Sequence, residues 1–199
     1  MTRRSGWTVP DLADAYLAGG VRFIQLRSKH ASSGAFLTLC ADVVERAHKA
    51  GAMVIVNDRA DIAALSSADG VHVGQEDLDP ASVRRILGGS AIVGISTHTP
   101  EQVRAASRLA VDYIAVGPVF GTSTKDTGYR AVGTAFVGEA AAIIRAADSA
   151  TPIVAIGGIT LERAREVIQA GAASVAVISD LLSTGNPEAR VKEYLRAIT

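Results

Sequence analysis

The sequence is poor in cysteine, carries no excess of either charge and contains no long apolar run, and each shortage removes a class of protein. Its one cysteine, Cys40, cannot close an internal disulfide. The run Phe36-Leu37-Thr38-Leu39-Cys40 places that thiol on the apolar side of a helix, as a buried structural group rather than a reactive one. Lysine plus arginine equals aspartate plus glutamate at 20 each, so no global field draws the chain to nucleic acid or to an anionic membrane, and charge selectivity has to be local. No stretch approaches the roughly 20 apolar residues of a membrane span. After Arg3 and Arg4 the chain reads Ser5-Gly6-Trp7-Thr8-Val9-Pro10-Asp11, which lacks the apolar run of a secretion signal. A cytoplasmic protein is the expectation. No linker or low-complexity tract interrupts the chain, and 199 residues with 48% hydrophobic content supply one core rather than two, so residues 1–199 are expected to form a single domain.

What is present is a regular alternation. Short β-branched runs occur at Val21–Leu26, Met53–Val56, Gly70–Val73, Ala91–Ile95, Tyr113–Val116, Ile153–Ile156 and Ser174–Ile178. Between them lie segments of helical spacing at Ser33–Ala50, Asp61–Ser67, Pro80–Leu87, Pro100–Ala110, Val132–Ala147 and Leu161–Ala170, with a last one at Pro187–Ile198. Proline in first turns and glycine just past last turns mark their ends. Strand-helix repetition of this kind predicts an α/β fold with a parallel sheet.

An open doubly wound sheet and a closed (β/α)8 TIM barrel both accept the pattern. A dinucleotide-binding sheet places its Gly-x-Gly-x-x-Gly in the first strand-to-helix turn, whereas the glycine pair here, Gly157-Gly158, follows the sixth strand. A late glycine turn matches the phosphate site of barrels, so a TIM barrel is expected. A helix at Pro10–Ala18 precedes the first clear strand. The barrel is therefore expected to lack its first strand, or to draw an irregular substitute from Met1–Thr8, and an unclosed sheet edge favours association with a second copy.

In a parallel barrel the residues just past each strand converge on one rim. Here they are polar: Gln25, Arg27 and Lys29; Asn57 and Asp58; Gln75 and Asp77; Ser96 and His98; Thr122, Thr124 and Lys125; Gly157 and Gly158; and Ser179. Asp58 and Asp77 follow adjacent strands, and two hard carboxylates with room for water and phosphate oxygens suit Mg²⁺. Taken singly, Asp58 could instead cap a turn, and Asp77 the helix near Pro80. Arg27, Lys29 and Lys125 supply cations for a phosphate or diphosphate, and Arg27 directly follows an apolar run, where a strand emerges. Gly157-Gly158 permits close backbone approach at a helix start, and Ile178-Ser179 adds a second loop there. The segment Gly117–Gly128 is long and hydroxyl-rich, as a lid would be. His72, within a strand, reads as structural, and neither it nor His98 enters the catalytic set.

These motifs resemble thiamine phosphate synthase. The similarity runs from about Leu17 to Leu182 and rests on six ordered segments. They are Gly20–Lys29; Val56-Asn57-Asp58-Arg59; Gly70–Leu78; Gly117-Pro118-Val119-Phe120 with Thr122–Lys125; Ala155–Ile159; and Val175–Ser179. The resemblance implies a transferase of thiamine biosynthesis that joins a hydroxymethylpyrimidine diphosphate to a thiazole phosphate and releases diphosphate. It implies pyrimidine diphosphate binding by Gln25, Arg27, Lys29, Asn57, Ser96 and Lys125, with Arg27, Lys29, Ser96 and Lys125 catalytic. It further implies Mg²⁺ on Asp58 and Asp77, and thiazole phosphate on Thr122, Thr124, Gly158, Ile178 and Ser179. A thiazole tautomerase branch is similar but has a histidine where Pro118 stands here. A truncated barrel that binds ligand without turnover is the non-enzymatic alternative. Small molecules, and neither nucleic acid nor membrane, are the expected partners.

Overall fold

The computed structural model describes residues 6–121 and 130–198. The chain divides into two compact units: residues 1–93 with 186–192, and residues 94–185 with 193–199. Strands and helices alternate through both, and every strand pairing is parallel. The class is α/β of the TIM-barrel type.

The first unit opens with α1 (Val9–Gly19). Thr8 and Asp11 form a reciprocal capping box at its start, which satisfies two of the amide donors that a helix leaves open. Its exit uses Gly20 at φ +104°, with the Gly20 and Val21 amides donating back to Leu17 and Tyr16 carbonyls. That closure consumes the Val21 amide, and the strand expected from Val21 accordingly begins later, as β1 (Phe23–Leu26). No strand precedes α1 among the described residues; Trp7 forms only an isolated β-bridge.

Next come α2 (Ser33–Lys49), β2 (Met53–Asn57), α3 (Ala60–Leu65), β3 (Gly70–Val73) and α4 (Pro80–Leu87). β1, β2 and β3 lie side by side, with Phe23 opposite Met53 and Asn57 opposite His72. The core of this unit is the inner stripe of α2, with Phe36, Cys40, Val43, Val44 and Ala47 at helical spacing, set with Leu12 and Ala13 of α1 and with Val54, Ile55, Val56 and Val71 of the strands. Cys40 is fully buried, and burial pushes its thiol up to about 11, so the structural reading of this residue holds. β1 alternates, with Ile24 and Leu26 buried and Phe23 and Gln25 exposed.

β4 (Ile92–Thr97) begins in the first unit and ends in the second. It runs two residues past the expected Ile95 because Thr97 is fully buried and its hydroxyl donates to the Ala115 carbonyl at 3.0 Å. Then follow α5 (Pro100–Ala106), β5 (Tyr113–Val116), α6 (Gly133–Ala146), β6 (Ile153–Ile156), α7 (Leu161–Gln169), β7 (Ser174–Ala176) and α8 (Pro187–Ile198), the last divided between the units. α5 ends short of the expected Ala110, since the Arg108 and Leu109 amides turn back onto Ala105 and Ala106, three residues away rather than four. Val103, Ile114, Val116, Val137, Ala140 and Val167 form the dry interior of this unit. No helix among the described residues is long and apolar enough to cross a membrane.

Candidate active site

The first unit builds its rim from long polar side chains at strand ends. Gln25 lies on the exposed face of β1, and neither it nor the exposed Lys29 has a partner among the described residues. Arg27 is half-buried. Its Nε is enclosed and has no hydrogen-bond partner, alone in this among the buried side-chain polar atoms of the described residues. A buried donor left unsatisfied costs about 1–3 kcal/mol, more when it belongs to a charged group, so the position invites an anionic oxygen.

Asn57 closes β2 and is 6% exposed. Asp58 then takes φ +65°, a left-handed conformation that aspartate tolerates better than most residues, while its amide donates to the His72 carbonyl at 2.8 Å. The Arg59 amide bonds back to the Asn57 carbonyl at 2.9 Å, tightening the turn that presents the Asp58 side chain. Backbone strain of this kind concentrates at functional sites. Arg59 itself pairs with Asp61 and Ser33 and stands outside the site.

Asp77 follows β3 on an exposed turn. One carboxylate oxygen accepts from the Gly74 amide at 2.7 Å, and the other has no partner among the described residues. The helix at Pro80 is capped by Asp79, whose side chain accepts from the Ser82 amide at 2.9 Å, so Asp77 is not used as that helix cap. The Ser82 hydroxyl and amide also hold the Asp79 carboxyl below its ordinary pKa. His72, 6% exposed, is packed inside β3, as its strand position suggested.

The second unit builds its rim from backbone. Ser96 is buried within β4, and His98 just beyond it donates its ring Nδ1–H to the Gly117 carbonyl while its amide donates to the Gln102 side chain at 2.7 Å. A carbonyl only accepts, so this contact requires a hydrogen on Nδ1. Gly117 precedes a cis Pro118 and lies so near β6 that an added Cβ would meet the Ile156 carbonyl oxygen at 2.2 Å.

The chain leaving Pro118 is stitched to the chain leaving β6. The Val119 amide donates to Ile156 at 2.8 Å and the Phe120 amide to Gly157 at 3.0 Å, while the Arg163 guanidinium stacks 4.4 Å from the Phe120 ring centre. Gly157 and Gly158 take φ +92° and +63°, and a Cβ on Gly158 would come within 2.5 Å of the Gly121 carbonyl oxygen. Only glycine fits this turn without displacing backbone. Ile178 is 53% exposed beyond β7, and Ser179 leads into a 3-10 turn at Asp180–Leu182. Thr122, Thr124 and Lys125 lie outside the described residues, as does most of the segment expected to form a lid.

Sequence reasoning missed the ties that shape this second rim: His98 to Gly117, Arg163 to Phe120, and Asp180 to the start of α7. Each joins residues well separated in the chain, and none carries a spacing signal. Asp180 alone had a cue, its position directly after Ser179.

The model of the thiamine monophosphate synthase family matches residues 2–181. The chain is 40% identical over 191 residues to a thiamine-phosphate synthase of Lawsonia intracellularis, covering 96% of this chain and 86% of that one. It is 41% identical over 191 residues to a thiamine-phosphate synthase of Koribacter versatilis, covering 96% and 87%. Among solved structures, thiamine phosphate pyrophosphorylase from Pyrococcus furiosus superposes with a TM-score of 0.86 at 27% identity, covering 96% of this chain and 89% of that one. On this match, over nearly its whole length, the chain belongs to the thiamine monophosphate synthase family.

Proposed function

We propose that this chain is a thiamine phosphate synthase that condenses 4-amino-2-methyl-5-hydroxymethylpyrimidine diphosphate with a thiazole phosphate, giving thiamine phosphate and diphosphate. The observation that carries the reading is the buried Nε of Arg27, a cationic donor without an acceptor among the described residues, in the same unit as two carboxylates that follow adjacent strands. Family membership supplies the reaction; this donor supplies a reason for an anion.

Asp58 and Asp77 fit Mg²⁺. They are hard oxygen donors, and among the described residues Asp77 keeps one oxygen without a partner and no group of three or more His, Cys, Asp or Glu forms a closed protein cage. Mg²⁺ favours such sparse sites, completed by water and substrate phosphates. When bound, the ion would neutralise charge that builds on the departing diphosphate.

The chain's own residues do the remainder. Arg27 and Lys29 donate to the diphosphate, Arg27 through a planar fork, and each such donor aimed at developing charge is worth about 3–4 kcal/mol in favourable cases. The carbon losing diphosphate carries positive charge that the aminopyrimidine ring spreads, so no protein nucleophile is required. Asn57, Gln25 and Ser96 are assigned to the same substrate, with Lys125 from outside the described residues. Gly158, Ile178 and Ser179, with Thr122 and Thr124 also outside those residues, are assigned to the thiazole phosphate, whose ring nitrogen forms the new bond. Anchoring that phosphate converts an encounter into an oriented reaction. Localisation in the cytoplasm accords with two soluble, phosphorylated substrates.

Incubation of the chain with both substrates, with and without Mg²⁺, tests the reading. Thiamine phosphate and diphosphate are expected in equal amounts and only with the metal. Isomerised thiazole phosphate alone would favour the tautomerase, and substrate binding without product would leave a ligand-binding barrel.

A further inference from the structure

The start of α7 departs from ordinary helix capping. Thr160 occupies the N-cap position with extended backbone, yet its side chain makes no capping hydrogen bond. The first amide of the helix, that of Leu161, donates instead at 3.3 Å to the carboxylate of Asp180, which lies beyond β7 in the next loop. The same carboxylate oxygen accepts from the Tyr194 hydroxyl at 2.7 Å, and that hydroxyl also lies 3.3 Å from the Ile159 carbonyl. Tyr194 is 4% exposed, so its ring is fixed by its surroundings in the second unit.

One oxygen thus ties three things together: the start of α7, directly after the turn Gly157–Thr160, the turn Ser179–Leu182, and the Tyr194 position of α8. An anionic acceptor at a helix N-terminus is favourable in itself. It also occupies an amide that a phosphate at this helix start would otherwise take, leaving the turn residues before it for any bound phosphate.

We propose that Asp180 and Tyr194 are positioning residues that hold the two phosphate-binding turns in register from behind, without touching the substrate. The kinetic part of this inference rests on the assignment of the thiazole phosphate to Gly158 and Ser179; the structural part does not. Tyr194 acts through Asp180 and beside the Ile159 carbonyl, and Asp180 acts through the Leu161 amide and the Ser179 turn that it belongs to. The brace therefore predicts a selective effect on one substrate and a hierarchy among variants.

Kinetics of Asp180→Ala, Asp180→Asn, Tyr194→Phe and the double variant Asp180→Ala/Tyr194→Phe provide the test, with hydrogen exchange at the Leu161 amide as a readout independent of activity. Asp180→Ala should raise the KM for thiazole phosphate about tenfold, with kcat and the KM for pyrimidine diphosphate within about twofold of the parent. Tyr194→Phe should raise it about threefold, and the double variant should fall well short of the product of the two single effects because the two residues form one network. Asp180→Asn, which keeps an acceptor oxygen, should restore most of the affinity. Leu161 exchange should quicken in Asp180→Ala and stay near the parent rate in Asp180→Asn.

Unchanged Leu161 exchange and unchanged KM in Asp180→Ala would overturn the brace, as would equal rises in both KM values or additive losses in the double variant. If the parent chain forms no thiamine phosphate, the synthase reading fails and the brace is judged on two other measurements. These are Leu161 exchange and titration of the Gly158 and Ser179 amide resonances with inorganic phosphate, which should weaken in Asp180→Ala if the inference holds and stay unchanged if it does not.

Discussion

The two units carry rims of opposite construction. In the first, the proposed site rests on side chains, with Arg27, Lys29, Asn57, Asp58 and Asp77 placed at or just past strand ends. In the second it rests on backbone, with Gly117, Gly157 and Gly158 admitted where a Cβ would strike a neighbour and the turns laced by cross-loop bonds. A side-chain rim fails when a functional group is removed, and its scaffold survives. A backbone rim fails when a group is added, and its scaffold feels the change.

The largest expected effect lies on the first rim. Asp58→Ala should lower kcat/KM by roughly 100-fold or more at saturating Mg²⁺ while the melting temperature stays within a few degrees, because the loss is of charge at the reacting diphosphate rather than of packing. Circular dichroism and initial rates on the same preparation check it. Asp77→Ala should cost less, about tenfold, and should be partly recovered at high Mg²⁺, since a substrate-completed site tolerates a missing ligand better than a missing substrate.

Gly158→Ala should reverse the balance. Its Cβ meets the Gly121 carbonyl oxygen at 2.5 Å, so the turn must shift; stability should fall by about 1–3 kcal/mol and the KM for thiazole phosphate rise about tenfold, with pyrimidine diphosphate little affected. A Gly158→Ala variant that loses both substrates equally would erase the distinction between the rims.

The smallest effect sits beneath the first rim. Burial raises the Cys40 thiol from 9.0 to about 11 and the Tyr16 hydroxyl from 10.0 to about 12. Both groups hold their protons more tightly when folded, so the stability they contribute is complete below about pH 9 and is lost as pH climbs through the folded values. Denaturant midpoints should therefore decline from pH 9 to 11, and Cys40→Ala should flatten part of that decline without changing activity at neutral pH.

The contrast between the rims also explains how far the sequence could be read. Strands and helices were legible because β-branched runs and 3.6-residue spacing report burial directly: β3, β5, β6, α4 and α8 fall where the pattern put them. Misplaced ends trace to hydrogen bonds that periodicity cannot encode, such as the Val21 amide closing α1 or the buried Thr97 hydroxyl lengthening β4. The residues proposed for the side-chain rim could be singled out as early, since Asp58, Asp77 and Arg27 suggest their chemistry by residue type. The backbone rim was legible only as glycines and a loop serine. What shapes it, from the His98 bond with Gly117 to the Asp180 bond with Leu161, joins residues nineteen apart in each case and became visible only with the fold.

The division of labour between the rims is tested most directly by calorimetric titration of thiazole phosphate into Asp58→Ala in the presence of Mg²⁺. An affinity within about twofold of the parent chain is expected, because the altered group is assigned to the diphosphate rim alone. A loss of thiazole phosphate binding as large as the loss of activity would contradict it.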